Sequence, residues 1–317
     1  MNSSQISTLD TTTSNFLEGF AKLFASLSVL TLSEQRQTIK EMFALPLEHL
    51  EPVAKVVNQT IEGRHGSIAI RLYIPKGEGP LPVLVFYHRG GWVYGSLEES
   101  EVICRKLANK TGAIIASVDY RLAPENKFPI PLEDCYDSAK WLWQNAASYN
   151  GDAHKILLCG ESAGGNLAAA VALMVKQTKE FEVAGQLLIY PILSNDLNSA
   201  VYEESPDKAL LSYENMQFFW GAYLTSLQDG ENPLASPLKA SSFEALPSTF
   251  IITAEYDALK HEGEKYAKLL RTAGVDVDAK CYPKSIHGFI DLPLDENIKN
   301  EALNDISRWI KKITQRQ

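Results

Sequence analysis

Ile156-Leu157-Leu158-Cys159-Gly160-Glu161-Ser162-Ala163-Gly164-Gly165 joins a short apolar run to a glycine-flanked serine, and an alanine-rich stretch, Asn166 to Lys176, follows it. The apolar run has the length and composition of a buried strand, and the alanine-rich stretch those of a helix. A strand that enters a helix through Gly-x-Ser-x-Gly turns so sharply that the serine takes a strained backbone conformation, with its hydroxyl raised above the sheet. Side chains two positions before and after that serine would collide, which accounts for Gly160 and Gly164. Glycine is common enough for the pattern alone to recur by chance. Its weight therefore depends on partners elsewhere in the chain.

One partner lies upstream. Pro82-Val83-Leu84-Val85-Phe86-Tyr87 reads as a buried strand running into His88-Arg89-Gly90-Gly91-Trp92. A glycine-rich loop there can turn backbone N–H groups toward the serine and hold the oxyanion of a tetrahedral intermediate, with the N–H of Ala163 as a further donor. A general base is also needed. In the chain order Ser, Asp or Glu, His, only His261 and His287 follow the serine. His261 falls in the charged helical pattern Lys260 to Leu270, a solvated setting. His287 follows the strand-like Val277 to Tyr282, in the loop Ile286-His287-Gly288-Phe289, and is the better base. Loops at the carboxyl ends of strands are where an open α/β sheet carries its chemistry. The orienting acid should end another strand, and Thr249 to Ala254 is followed by Glu255-Tyr256-Asp257. Asp257 is the choice and Glu255 the reserve.

Taken in order, His88 to Trp92, Asp119-Tyr120-Arg121-Leu122-Ala123-Pro124-Glu125, Gly160 to Gly165, Asp257 and His287-Gly288-Phe289 resemble the hormone-sensitive-lipase-like family of α/β-hydrolase carboxylesterases, from about Leu47 onward. The resemblance implies a triad of Ser162, Asp257 and His287, and an oxyanion hole made by Gly90, Gly91 and Ala163. It also implies activity on short- to medium-chain carboxylic esters, without metal or cofactor. The family loop usually reads His-Gly-Gly-Gly; here its first glycine is Arg89. Both donor positions remain glycine, and a guanidinium at the mouth would favour substrates bearing a carboxylate. Glu161 stands where the family often has aspartate. The segment Asp119 to Glu125 reads as scaffold, its charges pairing with each other and with loop backbone. His88 is expected to brace its loop.

Strand patterns at Val53 to Gly63, Ser67 to Pro75, Val83 to Tyr87, Ala113 to Val118, Ile156 to Cys159, Gln186 to Tyr190, Thr249 to Thr253 and Val277 to Tyr282 alternate, after the first two, with helical ones. Such alternation implies a mostly parallel sheet with helices on both faces. About sixty residues between Pro191 and Thr249 break the rhythm. A long insertion at the carboxyl end of a strand suggests a cap. The expected organisation is residues 1–50 as the N-terminal part of the cap and 51–317 as the catalytic domain, with the cap insertion at about 192–246. Phe16 to Leu32 reads as one amphipathic helix. The aromatics of Tyr213 to Leu224 are expected mainly in the core, and Trp92, Tyr94 and Tyr190 in the pocket wall.

The 317 residues are 45% hydrophobic and 22% charged, the balance of an ordinary globular chain. Thirty basic against 39 acidic side chains leave a formal charge of −9, which argues against nucleic acid or an anionic membrane as partner. Four scattered cysteines suggest neither a disulfide framework nor a zinc site, so the cytoplasm is the expected compartment. Met1 to Asn15 holds no lysine or arginine, unlike a secretory leader, and Phe16 to Leu32 is too short and charged for stable membrane insertion. Some relatives dimerise through an edge strand, and a homodimer is the corresponding expectation. Two readings compete with an esterase: an amidase or peptidase on the same triad, and a non-catalytic small-molecule-binding relative.

Overall fold

The computed structural model describes residues 9–315 apart from Ala209. Two helices come first, α1 (Thr11–Leu27) and α2 (Leu32–Phe43), then a hairpin of β1 (Lys55–Gly63) and β2 (Gly66–Ile74). The alternating part runs β3 (Leu81–Tyr87), α3 (Glu101–Thr111), β4 (Ile114–Asp119), α4 (Ile130–Asn145), β5 (Gly151–Glu161), α5 (Ala163–Thr178) and β6 (Gly185–Ile189). After α6 (Ser199–Glu204) and α7 (Tyr213–Tyr223), it resumes as β7 (Ser248–Ala254), α8 (Lys260–Thr272), β8 (Val277–Tyr282) and α9 (Glu296–Thr314).

All eight strands form one sheet, in the order β1-β2-β4-β3-β5-β6-β7-β8. β1 and β2 pair antiparallel with each other, and β2 pairs antiparallel with β4; every later pairing is parallel. The mostly parallel sheet expected from the strand–helix alternation is thus present, in the α/β-hydrolase fold that the family resemblance implies. Alternate side chains along a strand face opposite sides of a sheet, and β3 shows it. Val83, Val85 and Tyr87 join a core with α4, α5 and α8, whereas Leu84 and Phe86 join one with α3 and α9. Cys159 faces the α3–α9 side as a small buried apolar group. Strands with both faces covered read as near-continuous apolar runs, which is why these were legible.

The N-terminal segment departs from the sequence expectation. It is two helices, because Thr31 starts a new one: its side chain accepts the Glu34 N–H, and the Glu34 carboxylate accepts the Thr31 N–H. This reciprocal capping satisfies two backbone donors that a helix start otherwise leaves open. Leu17 of α1 packs with Tyr256, Ile286 and Leu292, so the first helix rests on the loops that follow β7 and β8.

Candidate active site

β5 delivers Ser162 to the tight turn before α5, at φ 55° and ψ −115°. A positive φ is strained for a residue with a side chain, and long-range hydrogen bonds hold it. The Ser162 N–H donates to the Ile189 carbonyl at 2.9 Å, and its own carbonyl accepts from Ile192 at 3.2 Å. A Cβ on Gly160 would meet the Gly164 carbonyl, and one on Gly164 would meet the Tyr87 carbonyl at the end of β3. Glycine is thus required by the close approach of the turn to itself and to the neighbouring strand.

The loops after β7 and β8 bring the other two residues in. His287 Nε2 lies 2.9 Å from Ser162 Oγ, and its Nδ1 lies 2.7 Å from Asp257 Oδ2. A carboxylate can only accept, so Nδ1 carries the proton and Nε2 accepts the serine hydroxyl. The second oxygen of Asp257 accepts the Leu259 N–H at 2.8 Å, which fixes the carboxylate plane. Burial opposes the charged imidazolium, but the Asp257 carboxylate and its hydrogen bond outweigh it and hold His287 above the ordinary histidine value. Glu255, the reserve acid, is exposed and accepts the Lys284 N–H instead. His261 is on the surface beside Glu264.

The loop after β3 faces this group. Gly90 has φ 113°, and a Cβ there would strike the Tyr94 carbonyl. The Gly90 carbonyl accepts from Val93 and Tyr94, which closes the loop into a tight turn. Ala163 is the first residue of α5, so its N–H has no acceptor within the helix. Gly90 and Gly91 border the same cavity as Ser162 and His287. His88 braces the loop: its ring stacks on Tyr120 at 4.1 Å and its Nδ1 donates to the Arg89 carbonyl at 2.8 Å. Complete burial pushes its imidazolium down to about 4, so the ring is neutral.

The cavity above Ser162 has a volume of about 540 Å³, within the range of small-molecule sites. Its wall is largely apolar and is drawn from α1 (Phe16, Phe20, Phe24), α2 (Phe43) and α7 (Phe219). Tyr94 borders it, but the placement of Trp92 and Tyr190 needs correction. Trp92 is fully buried, stacked on Tyr223 at 4.3 Å, because its backbone turn (φ 62°) directs the ring into the core under the loop. Tyr190 lies behind His287, with ring centroids 4.8 Å apart and its hydroxyl donating to Glu161. Of the aromatics in the 213–224 stretch, Trp220 and Tyr223 are core, as expected, whereas Phe219 lines the cavity and Phe218 is exposed.

A family model described as the alpha/beta hydrolase fold matches residues 84–291, the span that holds all three hydrogen-bonded side chains. The chain belongs to that family, as a hormone-sensitive-lipase-like serine carboxylesterase. It is similar to the carboxylesterase NlhH of Mycobacterium tuberculosis, 34% identical over 77% of this chain and 78% of that protein. An arylesterase of Saccharolobus solfataricus is 33% identical over 90% of this chain and 93% of its own. Among solved structures, the hyperthermophilic esterase of Pyrobaculum calidifontis superposes with a TM-score of 0.89 at 39% identity, covering 96% of this chain and 99% of that one. These relatives favour ester hydrolysis over the amidase and non-catalytic readings. Among the described residues no helix is long and apolar enough to cross a membrane.

Sequence reading missed several residues that build the esterase site. Arg36 of α2 donates to the Val93 and Ala123 carbonyls and forks onto both oxygens of Glu125. Lys127 donates to the carbonyls of Gly221, Ala222 and Leu224, which closes the end of α7. The segment Asp119 to Glu125 is therefore scaffold as expected, but its partners are distant: Arg121 pairs with Asp134, and Glu125 with α2.

Asp207, between α6 and α7, is also new. Its Oδ2 accepts the His287 backbone N–H at 3.0 Å, and its Oδ1 lies 2.6 Å from the Ser205 hydroxyl. That hydroxyl is also 2.8 Å from the Tyr256 carbonyl, and it has one proton for two acceptors. A protonated Asp207 resolves the conflict by donating to Ser205. Burial, with repulsion from the Asp257 carboxylate, pushes Asp207 up to about 7. The folded state then holds a proton that the unfolded chain releases near 4, so this group's contribution to stability falls as pH rises from about 4 to 7. Asp207→Asn, which mimics the neutral acid, is expected to become more stable than the parent across that window. The gain should reach roughly 1–4 kcal/mol above neutrality. Denaturant unfolding at pH 5 and pH 8 checks it; equal differences at both would sink it.

Proposed function

We propose that Ser162 is the nucleophile, His287 the general base and acid, Asp257 the group that orients it, and the N–H groups of Gly90, Gly91 and Ala163 the oxyanion hole. One observation carries this reading. An unbroken relay of two hydrogen bonds, serine to imidazole to carboxylate, sits at the base of an apolar, ligand-sized cavity. His287 removes the serine proton as Oγ attacks the ester carbonyl, and Asp257 stabilises the imidazolium that forms. Negative charge then builds on the carbonyl oxygen, where pre-oriented N–H donors contribute most. Collapse expels the alcohol, protonated by His287, and leaves an acyl-enzyme. The same imidazole activates water to release the acid.

The substrates are short- to medium-chain carboxylic esters. Residues 1–50 and about 192–246 are assigned as the cap that limits them, a reading supported by the wall side chains that α1, α2, α7 and the residues just before α7 supply. Four unpaired cysteines support a cytoplasmic setting, and β8, one of the two terminal strands of the sheet, supports a homodimer.

An acyl-chain series of p-nitrophenyl esters tests the substrate reading, with kcat/KM expected to peak at short to medium chains. Phe219 packs over Gly91, where even an added methyl would meet its ring. Phe219→Ala should open the cavity and move the optimum to longer chains. Each newly admitted methylene contributes about 0.8 kcal/mol, so two extra methylenes raise the long-to-short ratio of kcat/KM about 15-fold. An unchanged profile would place the acyl chain elsewhere.

A further inference from the structure

The guanidinium of Arg89 borders the cavity, but its Nε and Nη2 both donate to Asp291 Oδ2, at 2.9 and 2.7 Å. Glu161 Oε2 lies 3.9 Å from Nε and accepts the Tyr190 hydroxyl at 3.0 Å. Asp291 and Glu161 are nearly inaccessible to solvent, and the ring of Phe43 lies 5.2 Å from the guanidinium carbon. The expectation that Arg89 attracts carboxylate-bearing esters is not supported, since its charge is already engaged by carboxyl groups of the protein. Its neighbours suggest another role. Arg89 precedes Gly90, Glu161 precedes Ser162, and Asp291 lies in the turn that begins at His287. One charged cluster at the cavity edge therefore ties together the three segments that carry the donors, the nucleophile and the base.

We propose that Arg89 is a positioning residue for ester hydrolysis, its ion pair with Asp291 and proximity to Glu161 setting the oxyanion loop in register with Ser162 and His287. The proposal rests on the assignment of Gly90 and Gly91 as oxyanion donors. A guanidinium held by two nearly inaccessible carboxyl groups has few alternative positions, and removing one partner leaves the others uncompensated. The backbone next to Arg89 is thereby held without contact between its side chain and the reacting atoms. Because the donors are needed most when charge develops on oxygen, loss of register should lower kcat and leave KM nearly unchanged.

The test compares Arg89→Met, Asp291→Asn, the double variant and Arg89→Lys on p-nitrophenyl butyrate. Rates of the variants that keep Ser162 are expressed per active site titrated with a phosphonate ester, so that unfolded protein does not count. Each single variant is expected to lose about 100-fold in kcat, the cost of displacing a catalytic group by about 1 Å, with KM within about threefold. The double variant should lose little more than either single one, because both break the same link. Arg89→Lys should recover part of the loss. Single variants that retain kcat within about threefold would overturn the proposal, as would losses that multiply in the double variant. A change confined to KM for an anionic ester would overturn it too. Ser162→Ala, run alongside, separates the two readings: turnover in that variant removes the nucleophile assignment, whereas an inactive Ser162→Ala beside fully active Arg89 and Asp291 variants removes the positioning role alone.

Discussion

Ser162→Ala is expected to lower kcat for p-nitrophenyl butyrate by about 10⁶-fold, the scale at which loss of a serine nucleophile removes the benefit of the whole triad. The reason is geometric. Ser162 Oγ is the hydroxyl placed 2.9 Å from His287 Nε2, at the end of a strand that cannot shift without breaking its bonds to Ile189 and Ile192. Alanine removes one oxygen and tolerates the same backbone no worse than serine, so fold and cavity should persist. Substrate should still bind, with an affinity near that of the parent. Circular dichroism with stopped-flow assay checks both halves. A correctly folded variant with more than about 1% of the parent kcat would show that another group attacks the ester.

Asp257→Asn should cost about 10⁴-fold in kcat with the fold intact, because an amide can turn its N–H₂ toward Nδ1 and favour the tautomer protonated at Nε2. That tautomer cannot take the serine proton. The pH profile adds a second readout. In the proposed mechanism the neutral imidazole is the active form, so kcat/KM should fall as pH drops through the His287 value, which the Asp257 carboxylate holds above the ordinary 6.5. Removing the carboxylate charge should move that acid limb to lower pH. For stability the sign is opposite: the raised value contributes below about pH 6.5 and is lost as pH rises through the folded-state value. A limb that stays in place in the variant would mean that Asp257 does not set the charge of His287.

The core of the sheet was readable because its parallel strands are apolar on both faces and end in turn residues. β5 shows the limit. Its core, Ile156 to Cys159, was evident, but the strand begins at Gly151, which pairs with Leu81 before the register shifts and Ile156 meets Val83, so the mostly polar residues 152–155 carry no apolar signal of it. The N-terminal stretch misled because its apolar spacing continues past Leu27, while the break comes from a cap whose partners are polar. Trp92 follows the glycine pair and Tyr190 directly follows the strand after the elbow helix, and closeness to the expected site suggested a place in the pocket wall. Both have positive φ, which turns their rings away from it.

Sequence alone determined the elbow, the glycine-rich loop and the order of serine, acid and histidine, since each is a local requirement of backbone sterics or of reaction chemistry written into adjacent residues. Tertiary structure alone decided what holds them. Asp207 meets His287 across 80 positions, Arg36 reaches Glu125 across 89, and Arg89 reaches Asp291 across 202. Such pairs leave no periodic trace, because any buried donor can be satisfied by any acceptor that the fold happens to bring within 3 Å or so. Which acceptor that is depends on the packing of the whole chain.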